Sequence, residues 1–327
     1  MSTETQASAG SVRRWLRGLG RLAHGALAVA VLASLMARFA VSDTLGPSRW
    51  NLFLPPLLLT PFALIVAATV PWRRSLRIAV LGVVAVLGGA ALYADQPLLF
   101  RGPRAHAAAP EASPSAVRVL LYNVEGLRRG AERVRERIRA ADADLVFLVQ
   151  AARREEQAAA EYAPVLDGRE PVTVIETRHV AFGRPPLTLI EAWVHEQNAR
   201  FTRMALDLDG VDVDVLLVHL RSPGNRDDAV AFAGLEQALA KLHEPALVLG
   251  DFNAPRGSRR LRRAMAGWRD AAFTSQDRLL ATWLMPVPLW QIDHVFTRGL
   301  DATSFEILPS TASDHAAVVF ELAADRG

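Results

Sequence analysis

Cysteine is absent from the 327 residues, and the basic residues are nearly all arginine, with Lys241 the exception. Without cysteine there is no disulfide framework, no thiolate nucleophile and no Cys-ligated zinc. Any metal chemistry must therefore rest on oxygen and nitrogen donors. Export stays open, because an extracytoplasmic domain does not require disulfides. A large charge of one sign is also lacking: the formal net charge is +3, and the bias to Arg, Ala and Gly fits genome composition better than nucleic-acid binding. Neither an internal repeat nor a basic groove interleaved with aromatics is legible.

What the chain has is apolar residues, 51% of the total, concentrated in the first hundred positions. Three runs follow one another, at about 22–41, 52–70 and 78–94. Each approaches the roughly 20 residues that cross ~30 Å of hydrocarbon. Arg21 and Arg38 lie near the ends of the first run, where they can snorkel, and membrane helices tolerate Pro55, Pro56 and Pro61. Three transmembrane helices are the expectation. A buried hairpin of core helices, or an export signal beginning at Arg13-Arg14, is the alternative. Arg13, Arg14, Arg17 and Arg21 precede the first run, and Arg73, Arg74 and Arg77 separate the second from the third. Positive charge stays on the cytoplasmic side, so the N-terminus is expected inside and everything after Ala94 outside. Residues 95–115, rich in Pro, Ala and Gly, read as a flexible linker.

From 116 to 327 the pattern becomes that of a folded domain. Strands are expected at Val117–Tyr122, Asp144–Val149, Val172–Glu176, His179–Phe182, Leu187–Val194, Arg203–Leu208, Val211–His219, Ala246–Leu249, Gln291–Thr297, Ser304–Leu308 and Ala317–Leu322. Helices are expected at Glu132–Ala140, Asp227–Leu242 and Ser258–Met265. Strands and helices in no regular alternation suggest an α+β chain whose C-terminal domain is an α/β sandwich rather than a doubly wound sheet. Polar residues collect at the strand ends: Asn123, Gln150, His219, Asp251 with Asn253, Asp293, and Asp314 with His315. Carboxylates, amides and imidazoles delivered in this way suit a phosphoester site holding a hard, oxygen-seeking cation. Taken singly, each of these residues reads equally well as a turn former or a satisfied core side chain. The Arg256–Arg263 cluster is either an anion attractor or a solvated helix face, and Trp283 is a candidate pocket wall.

In order along the chain, Leu121-Tyr122-Asn123, Asp144 to Gln150, Val218-His219-Leu220, Gly250-Asp251-Phe252-Asn253, Thr282-Trp283, Ile292-Asp293-His294 and Ser313-Asp314-His315 resemble the endonuclease/exonuclease/phosphatase (DNase I-like) superfamily. The whole chain is similar to its membrane-anchored, three-span bacterial subgroup. The resemblance implies a DNase I-like sandwich of two packed sheets flanked by helices. It also implies a metal-dependent hydrolase of phosphodiester or pyrophosphate bonds using Mg²⁺ or Mn²⁺. By the same resemblance Asn123, Gln150, Asp251 and Asp314 serve the metal, and Asn253 holds a phosphate oxygen. Asp251 positions or deprotonates water, Asp293 orients a phosphate-contacting His315, and His219 assists the leaving group. The expected protein is integral to the bacterial cell membrane, in contact with the bilayer and acting outside the cell on a phosphate-containing, lipid-linked substrate. Nucleic acid is a less favoured substrate, as for an extracellular nuclease.

One position departs from the pattern: where the superfamily places its principal ligand, a glutamate, stands Gln150. Glu125 replaces that charge if its segment is extended, or Glu155 or Glu156 does. Otherwise the metal binds weakly or not at all, and the domain is a non-catalytic binding module of the same fold.

Overall fold

The structure, a computed structural model, describes residues 18–19, 23–34, 36, 56–69, 73–100, 116–152, 154–221 and 228–324, without the side chains of 155 and 157. The chain divides into two compact units, Met1–Ala94 and Asp95–Gly327.

The first unit holds three apolar helices, α1 (Ala23–Ser34), α2 (Pro56–Thr69) and α3 (Arg74–Asp95). Among the described residues only α3 is long and apolar enough to cross a membrane; α1 and α2 are shorter. The flanks of the first two expected spans, and with them any three-span count, lie outside the described residues. Val31, Ala63 and Val84 pack together, as do Ala28 and Val66. At Gly88 a Cβ would come within 2.4 Å of Thr60 Cγ2, so glycine is what lets α2 and α3 approach there. The helices are apolar on their outer faces too, with Ile65, Ile78 and Val86 exposed.

The second unit is a sandwich of two six-stranded sheets. The strands are β1 (Val117–Asn123), β2 (Leu145–Val149), β3 (Val172–Val174), β4 (His179–Gly183), β5 (Leu187–His195), β6 (Ala199–Leu208), β7 (Val211–Leu220), β8 (Ala246–Asp251), β9 (Arg269–Asp270), β10 (Asp293–Arg298), β11 (Leu300–Leu308) and β12 (Ala317–Ala324). The first sheet runs β11-β12-β1-β2-β4-β3 and the second β5-β6-β7-β8-β10-β9. The pairing scheme is the same in both: one parallel pair, β1–β2 or β7–β8, flanked by antiparallel strands. Helix α4 (Ala131–Ala141) connects the first parallel pair and α6 (Asp228–Leu239) the second.

The central strands are uninterrupted apolar runs because both their faces are covered. Leu121, Phe147, Leu217, Leu249 and Phe320 fill the space between the sheets. Outside the first sheet, α4 and α5 (Glu155–Leu166) cover Leu120, Val146 and Leu148; outside the second, α6 and α7 (Arg259–Ala264) cover Leu216 and Val248. Helix α5 was not expected as an element, since Pro164 and its weak periodicity obscure it.

Two expectations about the chain's course are corrected. The segment 95–115 does not begin as an open linker: Pro97–Phe100 forms a 3₁₀ turn, Leu98 is buried in the core between the sheets, and Gln96 Oε1 accepts the Leu280 N–H at 2.9 Å. Its remainder lies outside the described residues. After Asn123 the chain does not stay extended; Glu125–Leu127 turns as a 3₁₀ segment with Glu125 at φ 50°.

Candidate functional site

Parallel strands bring their C-terminal ends to one edge, so β1, β2, β7 and β8 deliver Asn123, Gln150, His219 and Asp251 together. Asp293 opens β10, directly opposite Asp251 in the ladder. His315 stands just before β12 and bridges to Trp283. Gly250 is required by the close approach of β8 to β7: at φ 145° a Cβ would lie 1.9 Å from Val218 O. That glycine is what places Asp251 beside His219, its register partner.

Asp251 is the hub. Its Oδ2 accepts from Asn123 Nδ2 at 2.9 Å and from Asn253 Nδ2 at 3.0 Å, and its Oδ1 accepts the Asn253 N–H at 2.9 Å. Asn253 can fold back because it adopts φ 48°, a conformation Asn tolerates. Burial raises the Asp251 carboxyl to about 7, against the attraction of the neighbouring His315. The carboxylate is thus poised to take a proton near neutral pH.

His315 Nδ1 donates to Asp293 Oδ2 at 2.8 Å, and its Nε2 lies 3.3 Å from Asn123 Nδ2, 3.9 Å from Asp251 Oδ2 and 3.8 Å from Asp314 Oδ1. Burial opposes its charge, but the Asp293 carboxylate and their hydrogen bond, joined by Asp251 and Asp314, overcome burial and raise it to about 9. Thr282 Oγ1 accepts the Ile292 and Asp293 N–H groups, fixing the start of β10. Ser313 Oγ donates to Asn123 O and accepts the His315 N–H, tying the last loop to β1. Asp314 Oδ2 accepts the Trp283 indole N–H at 3.0 Å, which puts Trp283 on the wall of the site.

His219 is the opposite case. Burial, reinforced by His179, Arg200 and His315, holds its pKa well below the usual imidazole value. Its 3.9 Å approach to Asp251 Oδ2 is therefore a neutral ring against a carboxyl group, not an ion pair. Arg200 Nη1 lies 3.4 Å from His219 Nδ1, and a guanidinium only donates, so Nδ1 accepts and the proton sits on Nε2. Gln150 faces that Nε2 at 3.2 Å, and the contact is a hydrogen bond only with the amide oxygen turned towards the ring.

Glu125 is not brought into this group. Its carboxylate faces Arg128 and Arg129, each at 3.4 Å, because the 3₁₀ turn carries it away from the Asn123 side. Arg256, first of the arginine cluster, is a buried structural residue that pairs with Asp270, donates to Gln291 Oε1 and stacks on Phe273. His294, which carried no functional claim, donates to or accepts from nothing in the site and faces Ala254 O at 2.9 Å. Arg200, Arg178 and His179 were not read from the sequence as site neighbours. The signal for Arg200 lay in cross-strand register, since it stands opposite His219 on β6.

Among the described residues Asp251, Asp293 and His315 form one group with potential ligand atoms within 4.8 Å of one another, but a charged His315 has no lone pair to offer, which leaves the carboxylates to a cation. Oxygen donors suited to a hard cation are present in Asp251, Asp314 and Asn123, and Asp293 Oδ1 is buried without a partner.

No curated protein matches the chain. Among solved structures, a humanized D. rerio TDP2 is 14% identical, with TM-score 0.53, covering 64% of this chain and all of that one. An endonuclease/exonuclease/phosphatase family protein from Bacteroides thetaiotaomicron is also 14% identical, with TM-score 0.53, over 66% and 100%. A mannosyl-6-phosphatase from the same organism is 15% identical, with TM-score 0.51, over 63% and 99%. At such identities these likenesses show the fold. The model of the Endonuclease/Exonuclease/phosphatase family matches residues 120–315, more than half of the sequence and every strand end described above, so the chain belongs to that family.

Proposed function

We propose that the protein is a divalent-metal-dependent phosphoester hydrolase anchored in the membrane, with its sandwich on the extracytoplasmic side. The observation that carries the reading is the convergence of Asn123, Asp251, Asn253, Asp293 and His315 at one edge of the sandwich, through hydrogen bonds of 2.8–3.0 Å within the Asn123–Asp251–Asn253 and His315–Asp293 sets and a 3.9 Å approach of His315 Nε2 to Asp251. Asp251, oriented by the two asparagines, takes the proton of an attacking water. His315, kept charged by Asp293, neutralises the phosphate oxygens as negative charge grows on them. Mg²⁺ or Mn²⁺ held by Asp251, Asp314 and the Asn123 amide would add Lewis-acid neutralisation of the phosphate. The neutral His219 carries its proton on Nε2, where it donates to Gln150; it would assist the leaving oxygen by turning that N–H from the amide to the substrate.

Anchoring is supported by the 22-residue apolar α3, by the outward-facing Ile65, Ile78 and Val86, and by the arginine pattern around the spans. An apolar-tailed, lipid-linked substrate is supported by the exposed Leu284 and Val287, in the segment that follows Trp283 and bonds to Asp314 through the Met285 N–H.

The test is hydrolysis of bis-p-nitrophenyl phosphate and p-nitrophenyl phosphate by the full chain in detergent, with Mg²⁺, Mn²⁺ or EDTA. Turnover lost in EDTA and in Asp251→Asn supports the reading. A folded protein with no turnover on either ester overturns it in favour of a binding module. A C-terminal alkaline phosphatase fusion that is inactive in cells expressing it would place the sandwich inside and refute the orientation.

A further inference from the structure

The side of the site that carries Gln150 is cationic. Arg200, half-buried on β6, donates towards His219 and keeps a buried Nε with no hydrogen-bond partner. Arg178 sits in the β3–β4 turn, its carbonyl accepting the Ala151 N–H at 2.8 Å, which fixes it next to Gln150. Arg221 follows β7 two residues after His219. Among the described residues no carboxylate lies within ion-pair distance of any of the three arginines. Arg178 and Arg221 are near enough to Arg200 that their repulsion adds to burial in lowering its pKa.

A half-buried guanidinium such as that of Arg200, with no carboxylate beside it, is costly, and Arg178 and the exposed Arg221, whose Nη1 donates to Gln197 O, add repulsion. With the Gln150 oxygen committed to His219, what the side chain has left to offer is its NH₂ group, a donor. Beside His219, next to the Asp251 carboxylate at 3.9 Å, the site presents donors in the Arg200 guanidinium and the Gln150 amide N–H. Such donors fit an anion.

We infer that Gln150, Arg200 and Arg178 form an anion subsite beside the catalytic Asp251–His315 centre, which binds the additional charge of a terminal phosphate. Its ligand class is a phosphate that carries charge beyond that of a diester, as the end of a phosphomonoester or of a diphosphate. The inference rests on the phosphoesterase reading for its catalytic consequence, but its binding consequence stands alone. Gln150 is then a change of ligand preference and not a decayed residue. A glutamate there would set a negative charge beside the subsite, oppose an anion and favour a cation instead.

The experiment uses the full chain in detergent, stripped of metal by EDTA, with inorganic pyrophosphate and phosphate titrated calorimetrically. Wild-type protein is expected to bind pyrophosphate without metal. Arg200→Gln, Arg178→Gln and Gln150→Glu are each expected to weaken it about tenfold or more, the loss of a charge-assisted contact. Arg200→Lys should recover part of the loss. With Mn²⁺ present, kcat/KM is compared for p-nitrophenyl phosphate, geranyl diphosphate and bis-p-nitrophenyl phosphate. Arg200→Gln should reduce the first two about tenfold more than the diester, and the two separate a monoester from a diphosphate ligand. Absence of metal-free pyrophosphate binding, or variants that lower all three substrates equally while keeping wild-type circular dichroism, overturns the subsite and leaves the hydrolase standing. Arginine-dependent binding with no hydrolysis of any substrate sinks the hydrolase and leaves the subsite.

Discussion

The two sheets are built to one plan and finished differently. Each centres on a parallel pair joined by a helix, yet β1 and β2 end in the amides Asn123 and Gln150, whereas β7 and β8 end in His219 and Asp251. The contacts Asn123–Asp251, Gln150–His219 and His315–Asp293 all cross from one sheet to the other. Neither sheet holds a working group alone. The same asymmetry separates the two histidines: His315 has a carboxylate at 2.8 Å and is charged, while His219 has a guanidinium and an amide and is neutral. What decides their chemistry is the neighbour, since both are buried.

That contrast can be broken at the carboxylate. Asp293→Asn should cost about 10²- to 10⁴-fold in turnover, the range for a positioned acid or base. The His315 ring, followed by NMR, should fall from about 9 towards or below the ordinary imidazole value. His219→Gln should cost less; equal losses would mean the two histidines share one role. Next in size is the glycine that sets the close pairing of β7 and β8. Gly250→Ala should destabilise the sandwich by about 3 kcal/mol or more in urea unfolding, because the clash is with Val218 backbone. Wild-type stability would show that the strands can separate without loss. Leu98→Ala should cost about 2–4 kcal/mol, as for a core leucine. No effect would mean residues 97–100 are not part of the sandwich.

The last contrast is in the pH dependence of stability. His179 lowered to about 3, His294 to about 4 and His219, also lowered, bind fewer protons folded than unfolded below about 6.5, so acid destabilises through them. Asp251, raised to about 7, acts in the opposite sense between about 4 and 7, one group against three. His315, raised to about 9, contributes stability that is full below about 6.5 and is lost as pH rises through 9. Sandwich stability should therefore peak near pH 6.5, and replacing His179 with a residue that does not titrate should flatten the acid limb. A monotonic rise to pH 9 would contradict the charged state of His315.

Much of the sandwich was legible because strands buried on both faces leave an apolar run that ends abruptly at a polar residue, as at Asn123, His219 and Asp251. Helix α5 escaped because Pro164 breaks its pattern. The turn at Glu125 escaped because a single 3₁₀ segment has no periodicity to read. Arg200 escaped for a different reason: nothing local distinguishes it from other strand arginines, and its partner is 19 positions away in the ladder.

By itself the sequence determined the division into an apolar first third and a mixed domain, and the set of polar residues delivered at strand ends. These follow from local pattern, which acts over a few residues. Only the tertiary structure decided which of those residues meet, that Asp293 serves His315, that Glu125 turns aside to Arg128 and Arg129, and that Gln150 meets His219, whose other ring nitrogen faces Arg200. Pairing across two packed sheets depends on register and burial. Both are properties of the assembled core, and no stretch of chain carries them alone.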